Sequence, residues 1–153
     1  MITIRNLAFT YPDGTRALDG VDMQIRAGAS AGIVGSNGAG KSTLVSHLNG
    51  WFLPQQGSIS IEGIESCKNN SEEIRKQVGL LFQNADDQLF TARVYDDVLF
   101  GPVNLGMEPG TAEAEAERLL REFGIWELRD KPPSHLSQGQ KRFAALAAVL
   151  VMN

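Results

Sequence analysis

Residues 35–42 of this 153-residue chain read GSNGAGKS and match the pattern GxxxxGK[ST] at every fixed position. The apolar residues 31–34 before this loop predict a strand, and residues 41–48 after it have helical character. Glycines let successive backbone N–H groups turn inward, and the helix adds unpaired N–H groups and the positive end of its dipole. The stretch therefore predicts a phosphate-binding loop between a strand and a helix.

The residue types in this loop suit a nucleotide polyphosphate with its magnesium ion. Lys41 is expected to reach the β and γ phosphates as a point charge, and the Ser42 hydroxyl to hold Mg²⁺. A flexible glycine loop with a solvated lysine is the alternative, and the flanking elements disfavour it. The expected nucleotide-binding residues are Gly35, Ser36, Asn37, Gly38, Ala39, Gly40, Lys41, Ser42 and Thr43. The loop predicts phosphate binding and not a particular reaction, because kinases, GTPases and transport motors all use it.

Composition narrows the class of protein. The chain is 42% hydrophobic and 21% charged, and no apolar run approaches the roughly 18 residues of a spanning helix, so we expect a soluble domain. The net charge is −4 and the 14 basic residues are scattered, so no nucleic acid partner is expected. A single cysteine and the lack of a signal-peptide pattern favour a reducing, cytoplasmic setting. Cys67, His47 and His135 are far apart in sequence and are expected to be structural or solvent-facing, with no zinc site.

The remaining segments predict an α/β chain that becomes helical from Tyr95 onward. Predicted strands cover residues 2–11 and 21–25, which flank a Pro-Asp-Gly turn as a hairpin, and residues 58–61 and 78–82, with a short helix at 72–76. Thr111 is a predicted N-cap, and Gly124 is expected to end that helix. Ser137 and Gln140 have capping-box spacing. A helix after them would place Phe143, Leu146, Ala147 and Leu150 on one apolar face.

Two further stretches make the sequence recognisable. Residues 136–140 read LSQGQ and resemble the signature motif of ATP-binding cassette ATPases. Residues 80–90 read LLFQNADDQLF and resemble the Q-loop of that family, with Gln83 at its key position. Three features are similar to energy-coupling factor transporters of the cobalt, nickel and vitamin type: the sequence of the Q-loop stretch, the FGPVNLGM of residues 100–107 and the short hairpin.

The resemblance implies an α/β fold with a P-loop NTPase core, an N-terminal antiparallel β-subdomain and a helical signature subdomain. Residues 1–153 would form one partial ATP-binding domain that lacks the C-terminal part of the sheet. Its expected parts are a β-subdomain at about residues 1–30, the core to the Q-loop at 31–94 and the helical part at 95–153.

The family's functional residues map onto matching positions. Tyr11 would stack on adenine, although a core tyrosine is the alternative. Lys41 and Gln83 would be the catalytic residues, with Gln83 reaching Mg²⁺ or the attacking water, and a surface glutamine is its alternative. Subunits of the family pair head to tail, so the expected contacts with the partner's ATP are Ser137, Gly139 and Gln140. An ordinary N-cap would also explain Ser137, and the two roles are compatible.

Two positions depart from the family pattern, and the family continues past Asn153. Gln138 stands where a glycine is usual, and Ala85 stands where this subfamily usually has proline. Beyond the last residue the family carries an Asp-Glu pair and a histidine, so the resemblance implies ATP and Mg²⁺ binding without efficient turnover, and low stability. A premature stop, a split reading frame and an engineered fragment stay open as explanations.

The leading hypothesis is a transporter ATPase on the cytoplasmic face of the membrane, paired with a second ATPase subunit and with transmembrane subunits. The transported solute would be a metal ion, such as cobalt or nickel, or a vitamin. A non-hydrolysing nucleotide-binding fragment is the second hypothesis. A soluble cassette ATPase of translation or repair would be expected to carry a second cassette, a coiled coil or basic patches. A small-molecule kinase would leave LSQGQ and the Gln83 loop without a role.

Overall fold

The computed structural model describes residues 1–152, and the internal contacts group the chain into two units. The first unit runs from Met1 to Val78, and the second begins at Gly79. All strands of the described residues lie in the first unit, and helices occur in both, so the predicted α/β class is confirmed. No helix within residues 1–152 is both long enough and apolar enough to cross a membrane. The subdomain boundaries expected near residues 30 and 94 remain predictions.

The first unit is built on an antiparallel sheet with strand order β2-β1-β3-β4. Its strands are β1 (Ile2–Thr10), β2 (Arg16–Ile25), β3 (Gln56–Ile61) and β4 (Ile64–Glu65). Strand β1 is central, because Ile2 pairs with Ile25 on one edge and with Ile61 on the other. The predicted hairpin is therefore confirmed.

One face of this sheet is covered by the helices of the first unit, α1 (Lys41–Leu48) and α2 (Ser71–Gln77). The short 3₁₀ turn Lys68–Asn70 leads into α2. Each apolar side chain of this core contributes about 1.5–3 kcal/mol by leaving water. The buried cluster consists of Ile4, Leu7, Phe9, Leu18, Leu44, Leu48, Ile59, Ile61 and Ile74. The sheet core thereby fixes the helix that follows the phosphate loop.

Two predicted strands are not formed. Residues 31–34 and 78–82 have no regular secondary structure, and Val34 is 93% exposed. An extended apolar segment becomes a buried strand only when neighbouring strands accept and donate its backbone hydrogen bonds. The sheet of the described residues ends at β2 and β4, and neither segment pairs with it. Both predictions were wrong because the apolar character of these segments carried no information about a partner strand.

The second unit packs three helices around a separate apolar cluster. They are α3 (Val94–Asn104), α4 (Pro109–Glu122) and α5 (Gln138–Leu150). A short 3₁₀ turn at Ala85–Asp87 precedes α3, and two more, at Trp126–Leu128 and Pro133–His135, lie between α4 and α5. The buried cluster consists of Ala85, Leu89, Val94, Val98, Ala116, Leu119, Leu120, Ile125, Leu136, Ala144, Ala145, Ala147 and Val151.

The ends of α4 only partly follow the prediction. Glu108 caps this helix, since its carboxylate accepts a hydrogen bond from the Thr111 amide at 2.8 Å, so the prediction of Thr111 as N-cap was wrong. Pro109 takes the first helical position, where its missing N–H costs nothing and its fixed φ suits the helix. Gly124, at φ 68°, ends the element as predicted.

The start of α5 was predicted correctly, and its buried face only in part, since Ala147 is buried as expected. Ser137 and Gln140 form the predicted capping box. Phe143 and Leu150 are 46% and 38% exposed, whereas the fully buried residues of the helix and its end are Ala144, Ala145, Ala147 and Val151. Small side chains let α3 and α4 approach α5 closely, and the larger apolar residues lie at the margin of the contact.

His47 lies in α1 at 0% exposure, inside the aromatic part of the first core. Its ring packs against Phe9 and Phe52, at centroid distances of 4.8 and 5.5 Å. Nδ1 lies 2.7 Å from the Thr43 carbonyl oxygen, so Nδ1 is the donor, and Nε2 has no partner among the described residues. Burial lowers the pKa of His47 below its ordinary value of 6.5, and the hydrogen bond to Thr43 only partly opposes this.

We predict that this histidine makes the chain less stable in mild acid. Above pH 6.5 His47 is neutral in both the folded and the unfolded chain. Below pH 6.5 only the unfolded chain gains a proton readily, so the free energy of unfolding decreases as the pH is lowered. His47→Leu should flatten the dependence of the urea midpoint between pH 7.5 and 5.5. His135→Gln, at the only other histidine and an exposed one, should leave it as in the wild type. An unchanged slope in His47→Leu would contradict the assignment.

Candidate phosphate and signature sites

The glycine-rich loop at residues 35–42 leads into α1 as predicted. Gly38 and Gly40 both have φ of 82°, a left-handed conformation that glycine adopts without strain. Gly40 is the N-cap of α1, and no side chain caps this helix start. The N–H groups of a first helical turn have no partner within the helix. An anion at this end of α1 would accept hydrogen bonds from these N–H groups.

Gly40 also sits where no side chain fits. A Cβ at this position would overlap the carbonyl oxygen of Ala17 in β2 and press on Leu18. A Cβ at Gly38 would meet nothing within 4 Å. The loop is therefore anchored to the sheet at Gly40 and open at Gly38.

The charged and hydroxyl groups of the loop are placed at its helical end. The Lys41 ammonium donates hydrogen bonds to the carbonyl oxygens of Gly35 and Ser36, at 2.9 and 2.6 Å, and so lies against the loop itself. Ser42 is exposed at the first turn of α1, and Thr43 is buried. One cation, one exposed hydroxyl and uncapped N–H groups are a donor set that fits a polyphosphate with its magnesium ion.

Tyr11 lies beside the first turn of α1. Its hydroxyl is 2.9 Å from Thr43 Oγ1. Its half-buried ring packs edge-on against Phe9 and Phe52, with centroids 5.1 and 5.8 Å away. The structure thus brings Tyr11 to the phosphate loop, and its stacking on adenine stays a prediction.

The signature and Q-loop residues meet inside the second unit. Gln83 and Gly139 line one cavity of about 420 Å³. Asn84, Ala85, Gln138 and Arg142 complete its lining. Gln83 is exposed there, so its amide is free to reach a ligand from this cavity. The catalytic role predicted for Gln83 remains a prediction.

Ser137 and Gln140 are occupied by the cap of α5. Ser137 Oγ accepts from the Gln140 amide at 3.3 Å, and Gln140 Oε1 accepts from the Ser137 amide at 2.9 Å. The alternative reading of Ser137 as an N-cap is therefore confirmed. Contact of Ser137, Gly139 and Gln140 with the ATP of a partner remains a prediction.

An ion pair ties the Q-loop to the start of α5. Asp86 Oδ1 accepts from the Lys141 ammonium at 2.5 Å, and Asp86 Oδ2 lies 3.4 Å from Gln138 Nε2. The hydrogen bond from Lys141, and after it the one from Gln138, lowers the pKa of Asp86. Gln138, which stands where the family usually has glycine, thus points its amide at the 3₁₀ turn Ala85–Asp87, the Q-loop turn.

Gln88 holds the same turn through two further side-chain hydrogen bonds. Its Nε2 donates to the Ala145 carbonyl oxygen at 2.9 Å, and its Oε1 accepts from the Phe82 amide at 3.1 Å. No sequence motif indicated these roles of Asp86, Gln88 and Lys141. Asp86 and Lys141 are 55 residues apart, so no local spacing connects them.

Comparisons with known proteins agree with these motifs. A family model described as ABC transporter matches residues 18–153. The energy-coupling factor transporter ATP-binding protein EcfA of Carboxydothermus hydrogenoformans is 48% identical over 151 residues, which cover 99% of this chain and 56% of that protein. EcfA of Methanothermobacter thermautotrophicus is 43% identical over 99% of this chain and 50% of its own length. The chain thus spans little more than half the length of these relatives.

Solved structures share the fold. CbiO1 of Clostridium perfringens, described as part of the ABC transporter complex cbiONQ, is 39% identical with a TM-score of 0.83, over 99% of this chain and 61% of that one. A dimeric ATP-binding cassette, MJ0796, bound to ADP and Pi, has a TM-score of 0.87 at 24% identity, over 100% of this chain and 70% of that one. The second likeness concerns the fold alone.

Gly40 and Gly38 offer a matched pair for testing the anchor of the loop. Alanine at either position takes a left-handed conformation that costs about 1–2 kcal/mol. Only Gly40→Ala also pushes against Ala17, so we expect it to lose about 3 kcal/mol or more in urea unfolding, against about 1–2 kcal/mol for Gly38→Ala. Equal losses would show that Ala17 yields easily.

The tie between Asp86 and Lys141 should protect the Q-loop turn. Lys141→Met keeps the stem and removes the charge, and should speed hydrogen exchange at the backbone of residues 85–89, measured by mass spectrometry. Because the pKa of Asp86 is lowered, the tie is fully present above the ordinary value of 3.8 and is lost as the pH falls through the lowered pKa. Lys131→Met, at an exposed lysine of the same unit, should leave exchange unchanged. Equal exchange in both variants would rule out the tie.

Proposed function

The chain belongs to the ABC transporter family, and from this membership we propose that it forms the ATP-binding subunit of an energy-coupling factor transporter. The observation that carries the proposal is the phosphate loop. Its helix begins without a side-chain cap, and the Lys41 ammonium and the Ser42 hydroxyl lie at that helix start. EcfA is the name of relatives 48% and 43% identical to the chain.

We propose that ATP and Mg²⁺ bind at this loop. Lys41 would contact the β and γ phosphates, Ser42 would hold the magnesium ion, and Thr43 and the loop amides would surround the remaining phosphate oxygens. Bound Mg²⁺ supplies positive charge to the phosphates and orients them for attack. Tyr11 is the proposed contact of the adenine ring, and the hydrogen bond between its hydroxyl and Thr43 keeps it beside the first turn of α1. Gln83 is the proposed contact of Mg²⁺ or the attacking water.

The proposed partners are a second ATPase subunit and the transmembrane subunits of the transporter. Ser137, Gly139 and Gln140 would face the ATP of the second subunit. An exposed apolar patch supports contact with the membrane partner: Phe90 and Phe100 are 65% and 50% exposed, with ring centroids 4.9 Å apart. Phe90 is the last residue of the stretch that resembles the Q-loop, so a partner on this patch would touch the loop that carries Gln83.

Within a full transporter, the proposed position is peripheral, on the cytoplasmic face of the membrane. The proposed solute is a metal ion, such as cobalt or nickel, or a vitamin. Support for both statements comes from the resemblance to energy-coupling factor transporters and from the relatives' names.

Nucleotide binding by the purified chain tests the proposal. Calorimetric titration with Mg·ATP should give saturable binding to the wild type, and Lys41→Ala should weaken it about 10- to 100-fold, since a charged hydrogen-bond donor is lost. Lys68→Ala, at an exposed lysine far from the loop in sequence, should bind like the wild type. Binding that is equal in all three proteins, or absent from the wild type, would defeat the proposal.

Phosphate release measured on the same samples separates turnover from binding. Release that depends on Lys41 would identify the chain as an ATPase. Binding that depends on Lys41 without release would identify a nucleotide-binding part whose turnover needs other residues.

A further inference from the structure

Thr10, the residue before Tyr11, has backbone groups that bond to a side chain and not to a neighbouring strand. Strand β1 pairs with β2 on one edge up to Thr10 and Arg16. On the other edge its pairing with β3 stops earlier, at Ala8 and Gln56. The backbone groups of Thr10 on that edge would otherwise point to solvent.

The Gln55 side chain pairs with the backbone of Thr10 beyond the end of β3. The Thr10 amide donates to Gln55 Oε1 at 2.8 Å, and Gln55 Nε2 donates to the Thr10 carbonyl oxygen at 2.9 Å. A carboxamide presents one acceptor and one donor side by side, the pair that a neighbouring strand would offer. Gln55 thereby extends the pairing on this edge of β1 from Ala8 to Thr10, although it lies outside β3.

Tyr11 is fixed from the other side by the hairpin turn. Its amide donates to the Thr15 carbonyl oxygen at 2.8 Å, and its own carbonyl oxygen accepts from the Gly14 amide at 2.9 Å. With Thr10 clamped and the turn closed, the backbone on both sides of Tyr11 is held. The turn and Gln55 therefore fix the backbone from which this ring leaves the chain.

We propose that Gln55 is a positioning residue for the base of a bound purine nucleotide, acting through Thr10 on the ring of Tyr11. This inference rests on the proposed function, in which the phosphate loop binds ATP. Gln55 itself would not touch the phosphates, because its hydrogen bonds go to the strand and not to the loop. Loss of the clamp should therefore weaken recognition of the base and spare recognition of the phosphates.

The experiment compares two probes, Mg·ATP and Mg·tripolyphosphate, the second of which lacks base and ribose. Gln55→Ala should raise the Kd for Mg·ATP about three- to tenfold, the worth of one or two hydrogen bonds, and change the Kd for Mg·tripolyphosphate less than about twofold. Gln55→Glu, which places a carboxylate oxygen against the Thr10 carbonyl oxygen, should be as weak as Gln55→Ala. Gln56→Ala, at the adjacent exposed residue, should bind both probes like the wild type.

A double-mutant cycle tests whether Gln55 acts through Tyr11. Tyr11→Ala should weaken Mg·ATP binding, and adding Gln55→Ala should weaken it no further, since the ring that Gln55 positions is gone. Additive losses, an equal loss for both probes, or no loss in Gln55→Ala would each overturn the inference. Failure of the wild type to bind Mg·tripolyphosphate would instead refute the phosphate site, and the inference with it.

Discussion

The contact between Gly40 and the backbone of Ala17 determines where the phosphate loop meets the sheet. Strand β2 runs directly beneath the start of α1, and only a residue without a side chain leaves room for that approach. Behind this point Leu44 and Leu48 bury α1 against the sheet, so the core of the unit and the position of the loop are one arrangement. A phosphate site made of backbone amides needs such rigidity, because the amides must point at the ligand before it arrives.

Thr43 joins the other groups of the first unit to the same helix turn. Its hydroxyl bonds to Tyr11, and its carbonyl oxygen accepts from His47. The aromatic cluster and the proposed base contact therefore depend on one residue in the first turn of α1.

Local signals predicted much of this structure, and non-local ones were missed. The hairpin, α1 and the capping box of α5 follow from turn residues, periodicity and cap spacing, which act over a few residues. Residues 31–34 and 78–82 were predicted as strands from apolar character alone, and a strand also needs a partner. The ties of Asp86 and of Gln55 join residues 55 and 45 positions apart, and no sequence spacing reveals them. Along α5, Phe143 and Leu150 were expected on the buried face, whereas Ala144 and Ala145, which are fully buried, were not.

The two predicted sites lie at the N-termini of α1 and α5, and these two helix starts differ in whether a side chain caps their backbone N–H groups. This difference determines what each start can bind. Helix α1 has no side-chain cap, so its first amides are all available to an anion. Helix α5 is capped by Ser137, whose oxygen accepts from Gln140. A hydroxyl has a proton as well as lone pairs, so Ser137 can accept within its own helix and still donate to a phosphate oxygen. The cap therefore orients the hydroxyl without consuming the donor that a contact with a partner's nucleotide would require.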